Sequence, residues 1–117
     1  MKAAIVLLAD TDRPEGIGRL ANALNSAREF KEAGDDTVVI FDGAGVKWVP
    51  EVTEPDHKYH GAFEDVRDAV AGACLYCSRA YGVKDGVEAT GVPFLDEFRG
   101  HPSIRSLIAN GHHVITF

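Results

Sequence analysis

Apolar and polar positions along the chain alternate between two periods. Ala3 to Ala9 is an unbroken apolar run of strand length, the pattern of a strand covered on both faces of a parallel sheet. Gly16 to Ala33 changes to helical spacing, with Ile17, Leu20, Ala23, Leu24, Ala27 and Phe30 recurring at threes and fours, which is one apolar stripe of an amphipathic helix. Pro14 and Gly16 stand at its entrance and Gly34 just past its end, where a helix starts and stops most cheaply. Thr37 to Phe41 is a second, β-branched run ended by Asp42-Gly43, a second buried strand.

The same alternation continues less regularly. Gly43 to Pro50 reads as a loop feeding a short helix, and Thr53 to Lys58 as polar loop. Phe63, Val66 and Val70 carry helical spacing over Tyr59 to Ala71. Ala71 to Leu75 reads as a short central strand, followed by a short helical stretch. Val83 to Thr90 predicts a helix closed by Gly91, Val92 to Leu95 a short strand, Ser103 to Ala109 a last helix and His113 to Phe117 the final strand. Strands alternating with helices predict an α/β fold: a three-layer sandwich around a mostly parallel five-stranded sheet, with helices on both faces. Right-handed crossovers then bring all strand C-termini to one edge, beyond which ligands bind. Asp10, Thr11, Asp42, Gly43, Cys74, Cys77 and Asp96 are expected there.

Composition narrows the partners. A chain of 117 residues with no internal repeat or linker is expected to form one domain over residues 1–117. The net charge of −6 and the scattered Lys and Arg argue against nucleic acid. No run approaches the ~18 apolar residues of a membrane span. The apolar start stops at Asp10-Thr11-Asp12 and reads as a strand, not as an export signal. A reducing cytoplasm is therefore the expected setting, where a Cys-x-x-Cys serves catalysis, sulfur handling or metal binding more often than a structural disulfide.

The chain has two cysteines, Cys74 and Cys77, placed where a strand hands over to a helix. Unpaired N–H groups and the helix dipole favour thiolate at such a junction, so a reactive cysteine is expected. The alternative is two thiols packed as small hydrophobes. A thioredoxin-like reading is disfavoured, because the motif follows two strand–helix units instead of opening the chain. Zinc needs two ligands beyond the thiols, and the chain offers only His57, His60, His101, His112 and His113 for them. His57-x-x-His60 has the better spacing, yet solvent-exposed loop histidines are the simpler reading. Gly16-Ile17-Gly18 and Gly43-Ala44-Gly45 complete no nucleotide fingerprint and read as turn glycines. No metal or cofactor is therefore assigned. Asp10, Asp12, Asp42 and Asp96 are either acid–base groups or turn formers. Trp48, the sole tryptophan, reads as a packing or subunit-interface anchor, and Val49, Phe94 and Phe98 as further apolar groups available to an interface.

The segment Cys74-Leu75-Tyr76-Cys77-Ser78-Arg79-Ala80-Tyr81-Gly82-Val83, with a glycine eight residues after the first cysteine, resembles the DsrE/DsrF/TusD-like sulfur-relay family and its YchN-type relatives. The opening Ile5 to Asp10, the stretch Phe41-Asp42-Gly43-Ala44-Gly45 and the closing Gly111 to Phe117 are similar to that family as well, so the resemblance spans essentially the whole chain. It implies a flavodoxin-like domain assembled as a trimer, a hexamer or a related oligomer. It also implies a sulfur carrier in which Cys74 matches the sulfur-accepting cysteine and Cys77 a second cysteine that some members have. Sulfur donor and acceptor proteins are the implied partners. Ala80-Tyr81 stands where Ala-Arg is common, and the arginine here is Arg79. The reading carried forward is a small cytoplasmic sulfurtransferase-like carrier loading sulfane sulfur on Cys74, with Asp10, Asp42, Gly43, Arg79 and Asp96 around the pocket. The competing reading is a non-enzymatic oligomeric module that binds a small ligand or metal at the same edge and uses its cysteines structurally.

Overall fold

The computed structural model describes residues 1–117. Five strands, β1 (Lys2–Leu7), β2 (Asp36–Phe41), β3 (Val70–Cys74), β4 (Phe94–Leu95) and β5 (His113–Thr116), form one sheet in the order β4-β3-β2-β1-β5. Every neighbouring pair is parallel, so the expected mostly parallel sheet is wholly so. Six helices connect them: α1 (Pro14–Glu32), α2 (Trp48–Val52), α3 (His60–Val66), α4 (Leu75–Ala80), α5 (Lys84–Ala89) and α6 (Ile104–Ala109). Short 3-10 turns at Gly43–Lys47 and Arg67–Ala69 complete the chain.

From β1 to β4 the chain steps across the sheet in one direction; β5 then returns to the far side of β1. Right-handed crossovers put the helices of the first three steps on one face and α6 on the other. Side chains alternate along each strand. Ile5, Leu7, Val39, Phe41 and Ala73 join the main core with Leu20, Ala23, Leu24 and Ala27 of α1 and Phe63 and Val66 of α3. Phe41 and Phe63 meet with ring centroids 6.3 Å apart at 54°. Each such large side chain contributes roughly 1.5–3 kcal/mol by leaving water. The second face is thinner: α6 and the segment before it cover it, and a small cavity between them and the sheet is lined by Val38, Ile40, Ala71, Leu95, Pro102 and Leu107. The three layers are therefore unequal.

Three expectations need correction. The helix expected over Tyr59 to Ala71 ends at Val66, and β3 already begins at Val70; the tighter 3-10 turn at Arg67–Ala69 reverses the chain without further helical residues. The first strand stops at Leu7 instead of Ala9, although Leu8 N–H still donates to the Phe117 carbonyl at 2.8 Å. Trp48 takes the packing alternative rather than the interface one, and Val49 is not an interface group. Both are buried in the core, and the Trp48 indole N–H donates to the Ala9 carbonyl at 2.9 Å, which satisfies the one polar atom that would otherwise hold the ring at the surface. Phe98 is exposed as expected and Phe94 half-buried. No helix is long and apolar enough to cross a membrane.

Candidate functional site

Two strand ends build the site. β3 ends at Cys74, whose residue also caps α4: its sulfur accepts the Cys77 N–H at 3.3 Å. One strand over, β2 ends at Phe41 and Asp42 caps the following 3-10 turn, accepting the Gly43 N–H at 2.8 Å. That turn can pass close behind β1 because Gly45 has no Cβ; a Cβ there would lie 2.0 Å from the Leu7 carbonyl oxygen. Adjacent parallel strands thus hold the thiols and the carboxylate on one edge. The Cys77 thiol donates to Asp42 Oδ1 at 3.5 Å.

The third component comes from beyond β4. Phe98 and His101 exchange backbone hydrogen bonds, both 2.9 Å, across a two-residue turn in which Arg99 (φ 51°) and Gly100 (φ 86°) are both left-handed. Positive φ at both central positions is the type I′ geometry. The Gly100 carbonyl then accepts the Tyr76 N–H at 2.9 Å, tying the turn to the first residues of α4. The His101 ring stacks on Tyr76, centroids 4.6 Å apart at 33°. Its Nδ1 reaches 3.3 Å from Cys74 Sγ and 4.0 Å from Cys77 Sγ. Depending on the tautomer, Nδ1 accepts a hydrogen bond from a thiol or donates one to a sulfur.

The ligand atoms of Asp42, Cys74, Cys77 and His101 all lie within 4.8 Å of one another. Cys74 is fully buried, Cys77 is 8 % exposed, and Asp42 and His101 are half-buried. Both cysteines are free thiols. The expected thiolate at the helix start meets an opposing force. Burial is the largest influence on Cys74 and pushes its thiol from 9.0 up to about 12. The Cys77 N–H pulls the other way, while the Cys77 side chain and the Asp42 charge add to the rise. Desolvation disfavours the charged sulfur more than one N–H favours it, so Cys74 rests as a neutral thiol near neutral pH.

Of the residues expected around the pocket, Asp42, Cys74 and Cys77 come together, with Gly43 framing the Asp42 turn at φ 53°. Asp10 sits at the same edge but is engaged elsewhere. It pairs with Lys47 at 2.6 Å, whose hydrogen bond, with that of the Thr11 N–H, holds its carboxyl below the usual range. It also lines a cleft of about 260 Å³ with Arg13, Arg19 and Phe117, where the strand order reverses, and that cleft contains neither thiol. Arg79 and Asp96 are exposed and join no ion pair. His101 is the residue that spacing passed over. The better-spaced His57 and His60 serve the loop instead: His57 Nδ1 accepts the Tyr59 N–H at 3.0 Å, and His60 Nδ1 lies 2.8 Å from the Val52 carbonyl. The signal for His101 was the Gly100 turn just after a strand, followed by Pro102, a place where a short hairpin folds back over its own sheet edge.

Comparison with known proteins places this architecture. The chain is 26% identical over 96 residues to an uncharacterized protein of Methanocaldococcus jannaschii, covering 82% of this chain and 78% of that one. Its fold matches a conserved protein of unknown function from Bacteroides thetaiotaomicron with a TM-score of 0.64 at 18% identity, over 97% of this chain and 94% of the other. The sequence model of the DsrE/DsrF-like family matches residues 4–117, from within β1 through β5 and including the cysteine cluster, and the chain belongs to that family.

Proposed function

We propose that this protein is a sulfane-sulfur carrier that holds sulfur as a persulfide on Cys74 and passes it to a partner protein. The observation that carries the reading is the pairing of two free thiols, at the strand edge of a DsrE/DsrF-like chain, with an imidazole 3.3 Å from one and a carboxylate 3.5 Å from the other. A neutral, buried Cys74 needs a base at the moment of attack, and His101 Nδ1 is within reach of its proton. The Cys74 thiolate then attacks the outer sulfur of a donor persulfide. A new S–S bond forms at Cys74, the donor S–S bond breaks, and the donor leaves as a thiolate. In the return step an acceptor thiolate attacks that outer sulfur, and Cys74 leaves and recovers its proton. Cys77 is the alternative exit: its thiolate attacks the inner sulfur, closing a Cys74–Cys77 disulfide and releasing hydrosulfide.

The setting that fits is the reducing cytoplasm, which keeps both thiols free. The assembly that fits is a homo-oligomer, supported by Tyr76, Phe98 and Ile108, each more than half exposed, with a trimer or hexamer the symmetry that the family resemblance implies. Intact-protein mass spectrometry under native conditions, after incubation with a sulfane-sulfur donor and followed by peptide mapping, tests the carrier and the assembly together. The expected result is one added sulfur on the Cys74 peptide, removed by reductant and absent in Cys74→Ser, on an oligomeric parent mass. Equal loading of Cys74→Ser and Cys77→Ser overturns the roles; no loading of the wild type overturns the carrier, and a mass of one chain overturns the assembly.

A further inference from the structure

The four groups at the β2 and β3 ends also have the composition and spacing of a metal site. Tetrahedral zinc takes thiolates at ~2.3 Å and imidazole or carboxylate at ~2.0–2.2 Å, so its ligand atoms stand roughly 3.3–3.8 Å from one another. The observed separations are 3.3 Å from Cys74 Sγ to His101 Nδ1, 3.5 Å from Cys77 Sγ to Asp42 Oδ1 and 4.0 Å from Cys77 Sγ to His101 Nδ1. The widest separation in the set is within 4.8 Å, so a contraction of about 1 Å closes a tetrahedron around an ion. The ligands come from four separate backbone positions that the fold already fixes: the end of β3, the first turn of α4, the cap after β2 and the turn beyond β4.

We propose that Asp42, Cys74, Cys77 and His101 form a mononuclear site for a thiophilic divalent cation, with Zn²⁺ the best match. Two sulfurs and an imidazole select zinc over the hard cations, which prefer oxygen. Groups around the ligands already orient them: the Cys77 N–H on Cys74 Sγ, the Gly43 N–H on Asp42 Oδ1 and the Tyr76 ring against His101. Such outer partners fix ligand geometry and tune affinity. The half-buried carboxylate and imidazole give an ion its way in, while the thiols lie inside. Binding replaces two S–H protons: Zn²⁺ plus two thiols gives a zinc dithiolate and two released protons, with no change of oxidation state.

The site does not depend on the carrier reading. The two compete, because a metal-bound Cys74 has no free sulfur to load. The test titrates reduced, metal-free full-length protein first with Co²⁺ alone and then with Zn²⁺ alone. One equivalent of Co²⁺ is expected to give sulfur-to-cobalt charge-transfer absorption and visible bands of tetrahedral intensity. One equivalent of Zn²⁺ erases both and releases about two protons per ion in weakly buffered solution. Cys77→Ser loses the absorption of one thiolate. Asp42→Asn and His101→Gln change half-buried groups, and far-ultraviolet circular dichroism checks that they stay folded. Each weakens Co²⁺ binding by at least the ~10- to 100-fold that loss of an outer-sphere partner costs. A weak octahedral cobalt spectrum without sulfur transitions, or an affinity that all three variants leave unchanged, overturns the site. Sulfur loading run in parallel separates the two ideas. Metal-free protein that binds Co²⁺ through its thiols yet takes no sulfur keeps the site and removes the carrier; sulfur uptake without thiol-ligated metal does the reverse.

Discussion

At the scale of single residues, Cys74 decides how the site behaves with pH. Its thiol holds its proton more tightly folded, up to about 12, than at the ordinary 9.0. The stabilisation linked to that proton is therefore complete below about pH 9 and drains away as pH rises toward 12. The expected outcome is that the stability difference between wild type and Cys74→Ala, read from denaturant midpoints, is constant up to pH 9 and shrinks above it; groups that do not face Cys74 cancel in that difference. A difference that stays flat through pH 10.5, or grows, contradicts a buried neutral thiol. Which residues were legible in the sequence follows the same local logic. Asp42 and Cys74 could be read because each directly follows or ends an apolar run, and strand ends of a parallel sheet share an edge. Arg79 could not be kept. It stands two residues past Cys77 on α4, and two residues are ~200° around a helix, so it faces solvent. His101 lies 27 residues after Cys74, and no spacing rule connects positions that meet only through a turn.

At the scale of elements, close backbone approaches hold the site as firmly as side chains do. The turn that carries Asp42 threads past β1 at Gly45, where any Cβ meets the Leu7 carbonyl at 2.0 Å. Backbone against backbone cannot relax by rotating a side chain, so Gly45→Ala is expected to cost about 1–3 kcal/mol, as overpacking does. Gly18→Ala is the control. Gly18 lies within α1 with nothing inside 4 Å of its would-be Cβ, so alanine there is expected to gain up to ~1 kcal/mol from helix propensity. Urea midpoints measure both, and a neutral Gly45→Ala would show that the turn is free to move. Hydrophobic periodicity found these elements but misplaced some of their ends. The apolar residues Val66 and Val70 continue a helical spacing across a segment that turns, because a residue buried in a strand and one buried in a helix look alike when only their spacing is counted. The cysteine segment read correctly as strand then helix, since Cys74 ends β3 and caps α4.

At the scale of the whole molecule, the unequal layers determine how Cys74 is reached. β1 and β2 are interior strands flanked on both sides and backed by the main core. β4 is a two-residue edge strand, paired only to Ala73 and Cys74. The turn that follows it rests on two hydrogen bonds between Phe98 and His101 and one from Tyr76 to Gly100, with Phe98 62% exposed. Segments with few buried contacts open locally at a fraction of the global free energy. The Phe98–His101 turn carries the Gly100 carbonyl 3.8 Å from Cys74 Sγ and His101 at 3.3 Å, so its opening is expected to uncover the buried thiol while the sheet stays intact. Alkylation of Cys74 in the native protein is therefore expected to proceed at a rate nearly independent of urea well below the unfolding midpoint. It is expected to speed up in Gly100→Val, because a β-branched residue strains the left-handed position and loosens the turn. Should the labelling rate instead climb with the full denaturant slope of global unfolding, Cys74 would be reachable only in the unfolded chain. A donor persulfide would then have no native route to its sulfur, whereas a shallow slope means that the edge built from β4 and its turn is the door to the thiol.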